Sequence, residues 1–224
     1  MRYQIVIPAR GGSKRFPGKN LATLNGIPLI AHSILFALQN KLGADVYVNT
    51  DDSQISRIAK EYGAKVTQRP PELALDTTPT VDVMKQQIKY FEENQIYCDA
   101  IILIQVTNPI RPEGLIELAV KAFEESGRKS LTCFSQLNKK FGTIHNNVFE
   151  PENYTPGQRM QDLVPRYFEN GQIYITDNNS IKVGKIITED SFPFISNEIG
   201  AEVDIDEPND MVFAEFIIGQ KTKR

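Results

Sequence analysis

Four cationic side chains lie close together near the start of the chain, in the stretch IPARGGSKRFPGKN (residues 7–20). They follow an apolar run typical of a β-strand and are Arg10, Lys14, Arg15 and Lys19. Gly11 and Gly12 come directly after the first of them and allow the backbone to approach a ligand closely. Fixed cations and free backbone N–H groups after a strand suit a ligand with several negative charges, such as a triphosphate.

The spacing of this loop excludes the two best-known phosphate motifs. Gly12 and Gly18 are six positions apart rather than five, and Asn20 follows Lys19 where a P-loop has Ser or Thr. The dinucleotide fingerprint fails because Gly11 and Gly12 are adjacent. A solvated basic turn is the structural alternative, but four like charges so close together would repel one another without an anionic partner.

Composition narrows the kind of protein that carries this loop. The chain has 224 residues and a formal charge of −3, with no apolar run long enough to span a bilayer, so we expect no membrane segment. A mildly acidic chain is not expected to bind nucleic acid. Two cysteines and two histidines argue against a disulfide framework or a His/Cys metal site and fit a reducing cytoplasm, and any metal should be held by carboxylates.

The secondary-structure elements that must position the loop alternate between strands and helices along the chain. Predicted strands occupy 3–9, 44–50, 64–68, 100–106, 130–134, 172–176 and 202–206, and predicted helices occupy 28–40, 53–63, 80–94, 112–126 and 208–220. Such alternation predicts an α/β fold with a mostly parallel sheet and helices on both faces. The tail KTKR (221–224) is expected to be frayed.

The alternation fails between about 135 and 170, where the sequence is polar and rich in Pro and Asn. A stretch of this length inside a compact domain is usually functional or interfacial. We therefore predict one domain over 1–224 that carries an insertion, with a solvated surface loop as the alternative.

Five stretches, in order, resemble the motifs of the acylneuraminate cytidylyltransferases, the CMP-sialic acid synthetase family. They are IPARGGSKRFPGKN (7–20), RPPELALDTTPT (69–80), LIQVTNPIR (103–111), NGQIYI (170–175) and DIDEPND (204–210). The resemblance spans nearly the whole chain. It implies a Rossmann-like fold of the nucleotide-diphospho-sugar transferase type and a homodimer in which the insertion reaches the partner subunit.

The resemblance also implies a reaction. CTP would be joined to a nonulosonic acid by attack of the sugar's anomeric hydroxyl on the α-phosphate, with release of pyrophosphate. Such a displacement depends on positioning, charge neutralisation and a metal more than on a protein nucleophile. Two alternatives stay open, namely a sibling enzyme for another sugar acid such as Kdo, and a nucleotide-sugar-binding protein without catalysis.

By resemblance, Arg10 and Lys19 would neutralise the triphosphate, and Arg69 would lie near the cytidine. Further nucleotide contacts are expected from Gly11, Gly12, Ser13, Lys14, Asn20, Ala74 and Thr80. Sugar contacts are expected from Gln105, Asn170 and Tyr174. For Arg69 an ion pair with Glu72 is the structural alternative, and for Tyr174 a place in the core.

The insertion departs from the family pattern, since Gly142 and Met160 stand where many relatives have a lysine and an arginine. Lys139, Lys140 and Arg159 are the candidates to replace them.

Asp204 and Asp206 are the metal candidates. Residues i and i+2 of a strand lie on one face, so both carboxylates could meet one hard cation, which we expect to be Mg²⁺. Alternatively Asp206 could only cap the helix that begins near Pro208.

Overall fold

The computed structural model describes residues 1–221. Its strands are β1 (Tyr3–Pro8), β2 (Thr23–Leu24), β3 (Ile27–Pro28), β4 (Val46–Thr50), β5 (Lys65–Gln68), β6 (Ala100–Leu103), β7 (Ser130–Gln136), β8 (Gly142–His145), β9 (Val148–Pro151), β10 (Tyr167–Asp177) and β11 (Phe192–Ile195). Its α-helices are α1 (Leu29–Leu38), α2 (Ser53–Glu61), α3 (Thr80–Glu93), α4 (Leu115–Ser126), α5 (Asn178–Lys182) and α6 (Pro208–Lys221). The prediction of fraying at 222–224 lies outside the described residues.

Seven strands form the central sheet, in the order β11-β7-β10-β6-β1-β4-β5. All neighbours are parallel except β10, which runs antiparallel to both β6 and β7. The predicted mostly parallel α/β fold is thus confirmed. The carboxyl ends of β1, β4, β5 and β6 meet at one edge, which is where open sheets of this kind bind ligands.

Helices cover both faces of the sheet. On one face α1, α2, α4 and α6 pack on strand residues such as Ile5, Val48 and Ile102. On the other face α3 and α5 pack on residues such as Val6, Tyr47 and Leu103. Burial on both sides explains why the central strands are apolar throughout. None of the helices in residues 1–221 combines the length and the apolar character that crossing a bilayer requires.

The strand predicted at 202–206 is wrong. A 3₁₀ turn covers Ile199–Glu202, and the chain then passes the end of β6 without joining a ladder. The Ile205 N–H donates to the Thr107 carbonyl at 2.8 Å, which ties the segment to the sheet edge by one backbone bond. Val203 and Ile205 are nevertheless buried, so the predicted alternation of inward and outward side chains holds.

Several other boundaries differ from the predictions. Strand β6 ends at Leu103 rather than at residue 106, and α4 begins at Leu115, after Gly114 in a left-handed conformation. Strands β7 and β10 extend into the stretch that lacked periodicity, which leaves an insertion of residues 137–166. That insertion forms the hairpin β8–β9. Strand β11 and helix α5 were not predicted.

Candidate nucleotide and sugar site

A cleft of about 420 Å³ opens at the carboxyl edge of the sheet. Three segments line it: the N-terminal loop (residues 9–20), the segment 69–80 that follows β5, and the segment 105–107 that follows β6. The predicted residues that line the cleft are Arg10, Lys19, Asn20, Arg69, Thr80 and Gln105. The fold therefore brings together residues from three of the five motifs.

The N-terminal loop is held by its neighbours. The Asn20 side-chain amide donates to the Arg10 carbonyl at 2.9 Å, and the Gly11 N–H donates to the Asp51 carboxylate at 3.0 Å. A Cβ on Gly11 would lie 2.7 Å from a carboxylate oxygen of Asp52, the residue that caps α2. Gly11 therefore serves close packing against α2, whereas a Cβ on Gly12 would meet nothing within 4 Å.

The loop cations are paired with two acids from distant parts of the chain. Arg10 and Lys14 contact the Asp76 carboxylate at 2.5 and 2.7 Å. Arg15 and Lys19 contact the Asp206 carboxylate at 2.7 and 3.0 Å, and only 12% of the Lys19 side chain is exposed. The four loop cations therefore have counter-ions within the chain, which offset the repulsion expected of a basic turn without an anionic partner.

The electrostatics of these acids follow from their partners. Hydrogen bonds from Lys14 and then Arg10 lower the pKa of Asp76. Partial burial works against ionisation of Asp206, but Lys19 and Arg15 outweigh it and lower its pKa. Both carboxylates are thus ionised counter-ions for the loop.

The acidic segment (residues 203–206) presents Asp204 and Asp206 outward, between buried Val203 and Ile205. Withdrawal from water raises the pKa of Asp204, and the carboxylates of Asp206 and Asp210 raise it further, against a hydrogen bond from Thr107. The negative charges of Asp206 and Asp210 thus lie close enough to Asp204 to oppose its ionisation, and a bound cation would favour it. Carboxylate oxygens suit a hard divalent cation, so the donor set fits Mg²⁺. Within residues 1–221 there is no group of three or more His, Cys, Asp or Glu residues that could hold a metal by itself.

Asp210, and not Asp206, satisfies backbone N–H groups at the start of α6. The Asp210 carboxylate accepts from the N–H groups of Asp206 and Glu207 at 2.8 and 2.7 Å. The Asp206 carboxylate is engaged by Lys19 and Arg15 instead. The capping alternative for Asp206 is thereby disfavoured.

Arg69 lies buried at the base of the cleft. Its guanidinium donates to the side-chain and backbone oxygens of Asn49, each at 2.9 Å, and Asn49 in turn donates to Gln87 of α3. Burial lowers the pKa of Arg69 to about 10, against the nearby Asp51. The alternative ion pair with Glu72 is not found among the ion pairs of residues 1–221.

Gln105 and Tyr174 lie side by side at the end of β6. The Tyr174 ring belongs to the core beneath α3, as the core alternative has it, and its hydroxyl donates to Glu169 at 3.4 Å. Burial, followed by the Glu169 charge, raises the pKa of Tyr174, while a hydrogen bond with the Gln105 side chain lowers it. The hydroxyl therefore stays protonated beside Gln105.

Other predicted residues lie elsewhere or at the margin of the cleft. Asn170 is buried, and its amide donates to Ser135 at 2.9 Å. Arg159 forms a two-point ion pair with Asp162 on the exposed insertion. Ala74 ends the 3₁₀ turn Pro71–Leu73.

Gly171 has φ +70°, and a Cβ there would lie 2.3 Å from Asn108 Oδ1. The close approach that this glycine permits is therefore to another part of the chain, the Asn108 side chain.

Four residues of the site were not singled out from the sequence. Asp51, Asp76 and Thr107 contact the N-terminal loop or the acidic segment, and Arg111 binds the segment that carries Gln105. Asp76, Thr107 and Arg111 lie inside quoted motifs, so their positions in the sequence pointed to the site. Which side chains these residues contact could not be predicted from the spacing of residues in the sequence.

The fold of this chain resembles that of two solved synthetases. The structure of a CMP:2-keto-3-deoxy-manno-octonic acid synthetase complexed with CTP superposes with a TM-score of 0.74, at 19% identity, over 99% of this chain and 100% of that one. A 4-diphosphocytidyl-2C-methyl-D-erythritol synthase superposes with a TM-score of 0.67 at 9% identity, over 97% of this chain and 100% of that one. At such identities the likeness shows the fold.

The chain belongs to the cytidylyltransferase family, whose model matches residues 4–222. It is 35% identical to the CMP-N,N'-diacetyllegionaminic acid synthase of Legionella pneumophila, over 97% of each chain. It is 30% identical to the pseudaminic acid cytidylyltransferase of Campylobacter jejuni, over 97% of this chain and 96% of that one. The N-acylneuraminate cytidylyltransferase of Streptococcus agalactiae is 30% identical over 91% of this chain, which spans about half (51%) of that relative. The predicted family is confirmed.

Proposed function

We propose that this enzyme joins CTP to a nonulosonic acid of the sialic, legionaminic or pseudaminic type, giving the CMP-sugar and pyrophosphate. The relatives that cover nearly all of the chain are named for legionaminic and pseudaminic acids, which supports this branch over Kdo. The Kdo enzyme shares the fold at only 19% identity.

One observation carries the proposal: Arg10 and Lys19 line a single cleft at the carboxyl edge of the sheet, and Lys19 is bound there by the Asp206 carboxylate at 3.0 Å. Such cations can neutralise a triphosphate and a departing pyrophosphate, which is the main requirement of phosphoryl and nucleotidyl transfer. Asp76 and Asp206 hold these cations in place in the free protein. When the nucleotide binds, its phosphates replace these carboxylates as the counter-ions of the cations.

The reaction we propose is a direct displacement. The anomeric hydroxyl of the sugar acid attacks the α-phosphate and gives up its proton to solvent, so that a new C–O–P linkage forms. The bond from the α-phosphorus to the oxygen that bridges to the β-phosphate breaks, and pyrophosphate leaves. Arg10 and Lys19 bind the triphosphate, with Gly11, Gly12, Ser13 and Lys14 along the loop. Asn20, Arg69, Ala74 and Thr80 bind the nucleoside, and Gln105 and Tyr174 bind the sugar. The buried Asn170, whose amide is bound to Ser135, supports the sugar side from within the chain.

Asp204 and Asp206 would hold Mg²⁺, which when bound would offset triphosphate charge. Lys19, as the least exposed of the loop cations, orients the Asp206 carboxylate at 3.0 Å. Arg10, which pairs with Asp76 and not with Asp206, would bind the triphosphate as well.

We also propose a homodimer formed through the insertion. Its hairpin β8–β9 exposes Ile144, Val148 and Phe149, which is more apolar surface than a hairpin left in water would be expected to show. In such a dimer Arg159 would reach the partner's cleft. The free thiols of Cys98 and Cys133, together with the use of CTP, support a cytoplasmic location.

A pyrophosphate-release assay tests the proposed function. The purified protein is supplied with CTP and Mg²⁺ and with sialic, legionaminic, pseudaminic or Kdo acid in turn. Release with one of the first three and formation of its CMP-sugar is the expected result. Release with Kdo alone would favour the sibling enzyme, and CTP binding without release from any acid would favour a non-catalytic binding protein.

A further inference from the structure

Arg111 is a buried arginine with an unusual set of partners. Only 8% of the residue is exposed, and its guanidinium lies 5.4 Å from the centre of the Phe36 ring. Burial lowers its pKa to about 9, and no carboxylate of residues 1–221 offsets its charge. A buried cation of this kind lowers the stability of the fold unless its N–H groups are hydrogen-bonded.

The donors of Arg111 converge on neutral oxygens at the end of β6. Nη2 donates to the Gln105 carbonyl at 2.6 Å, and Nε donates to the Gln172 carbonyl of β10 at 2.8 Å. Nη1 donates to Ser33 Oγ at 3.2 Å, and that hydroxyl donates to the same Gln105 carbonyl at 3.2 Å. Two donors thus meet at the backbone of Gln105.

The segment held in this way is the one that faces the cleft. Gln105 and Thr107 line it, and the Gln105 side chain meets the Tyr174 hydroxyl. The chain has already left the β6 ladder at Leu103, so the ladder itself does not fix the direction of the Gln105 side chain. The Arg111 guanidinium supplies that constraint through its hydrogen bond to the Gln105 carbonyl.

We infer that Arg111 is a positioning residue for the sugar subsite, which holds the Gln105 backbone so that its side chain points at the sugar acid. The inference rests on the proposed function. The competing account is that Arg111 only fastens helix α1, which carries Ser33, to the sheet.

Arg111→Met tests the inference, because a side chain of similar size removes the donors and the buried charge together, which proteins often tolerate. We expect the KM for the sugar acid to rise about tenfold or more, since small misplacement of a binding group is costly. The KM for CTP should stay within about twofold, because the CTP residues lie on other segments. Arg57→Met, at an exposed arginine of α2, is the matched control and should change neither KM.

A double-mutant cycle with Gln105→Ala separates positioning from general stabilisation. If Arg111 acts through Gln105, the tenfold effect should nearly vanish in the Gln105→Ala background. Independent effects of the two substitutions, or equal rises of both KM values, would overturn the inference.

Ser33→Ala gives a second route if Arg111→Met does not fold. It removes one of the two donors to the Gln105 carbonyl, and we expect a smaller rise confined to the sugar KM. An unchanged sugar KM in Ser33→Ala would then decide against the inference. A wild-type protein that releases no pyrophosphate with any of the acids would overturn the proposed function and this inference with it. If the wild type is active but the effects of Arg111→Met and Gln105→Ala on the sugar KM simply add in the double variant, only the inference is overturned.

Discussion

At the scale of single residues, the site is organised by carboxylates that occupy its cations. Asp76 is shared by Arg10 and Lys14, and Asp206 by Arg15 and Lys19. These pairs look alike but have different consequences. Asp206 belongs to the proposed metal site, whereas Asp76 would compete with the proposed triphosphate for Arg10 and Lys14.

Asp206→Asn is expected to lower turnover about a hundredfold or more, because the amide no longer offers a charged ligand to the metal. The thermal unfolding midpoint should change little. Initial rates of pyrophosphate release and a melting curve measure the two effects.

Asp210→Ala is the matched control, since its carboxylate accepts two backbone N–H groups at the start of α6. It should cost about 1 kcal/mol of unfolding free energy and leave turnover close to normal. The reverse pattern, with turnover lost in Asp210→Ala and kept in Asp206→Asn, would show that Asp206 is not a metal ligand.

Asp76→Asn is expected to lower the KM for CTP about two- to fivefold, because Arg10 and Lys14 would no longer have to break their ion pairs with Asp76 before they bind the triphosphate. The gain should shrink as ionic strength rises. Steady-state kinetics at low and high salt measure it. Glu72→Gln removes the same charge from an exposed neighbour, and an equal gain in that variant would point to net charge instead of the ion pairs.

At the scale of elements, the contact between β10 and the end of β6 shapes the side of the cleft where we propose that the sugar binds. The pairing of β10 with β7 shifts register between Glu169 and Tyr174, and Gly171 lies in that bulge at φ +70°. The Asn108 side chain fills the space where a Cβ would lie and donates to the Val203 carbonyl at 2.9 Å. One bulge thus links β10 to the acidic segment.

Gly171→Ala is expected to cost about 3 kcal/mol of unfolding free energy, because a strained backbone and a clash with Asn108 add together. Gly127→Ala is the control, at φ +62° with no atom within 4 Å of the added Cβ. It should cost only about 1 kcal/mol. Urea denaturation of both variants gives the comparison, and equal costs would show that the clash is relieved by movement of Asn108.

At the scale of the whole molecule, the exposed hairpin of the insertion is the feature that the isolated chain leaves unexplained. Ile144 is 71% exposed, and Val148 is 60% exposed. Surface of this kind, on an insertion of polar sequence, is typical of a protein interface.

Ile144→Asp is expected to convert the proposed dimer to a monomer, because a charge would be buried at the interface without a partner. Light scattering after gel filtration measures the mass. Leu118→Asp, on the 59% exposed residue of α4, is the control and should keep the dimer. A wild-type protein that is monomeric at micromolar concentration would contradict the proposed assembly.

What the sequence determined by itself is the part of the protein that depends on local pattern. Apolar periodicity predicted the alternating elements of the sheet, and the i, i+2 spacing placed Asp204 and Asp206 on the same side although no strand forms there. Motif order identified the family. These features follow from neighbours in the chain, whose directions are set by backbone geometry alone.

Only the tertiary structure decided which charges meet. Arg15 and Asp206 are 191 residues apart, and Arg111 finds the Gln172 carbonyl 61 residues away. Packing against neighbouring segments also decides that β10 runs antiparallel and that residues 203–206 stay outside the sheet ladder. Such contacts arise from packing between distant segments and leave no periodic signal, which is why the counter-ion role of Asp76 and the buried donors of Arg111 were visible only in the folded chain.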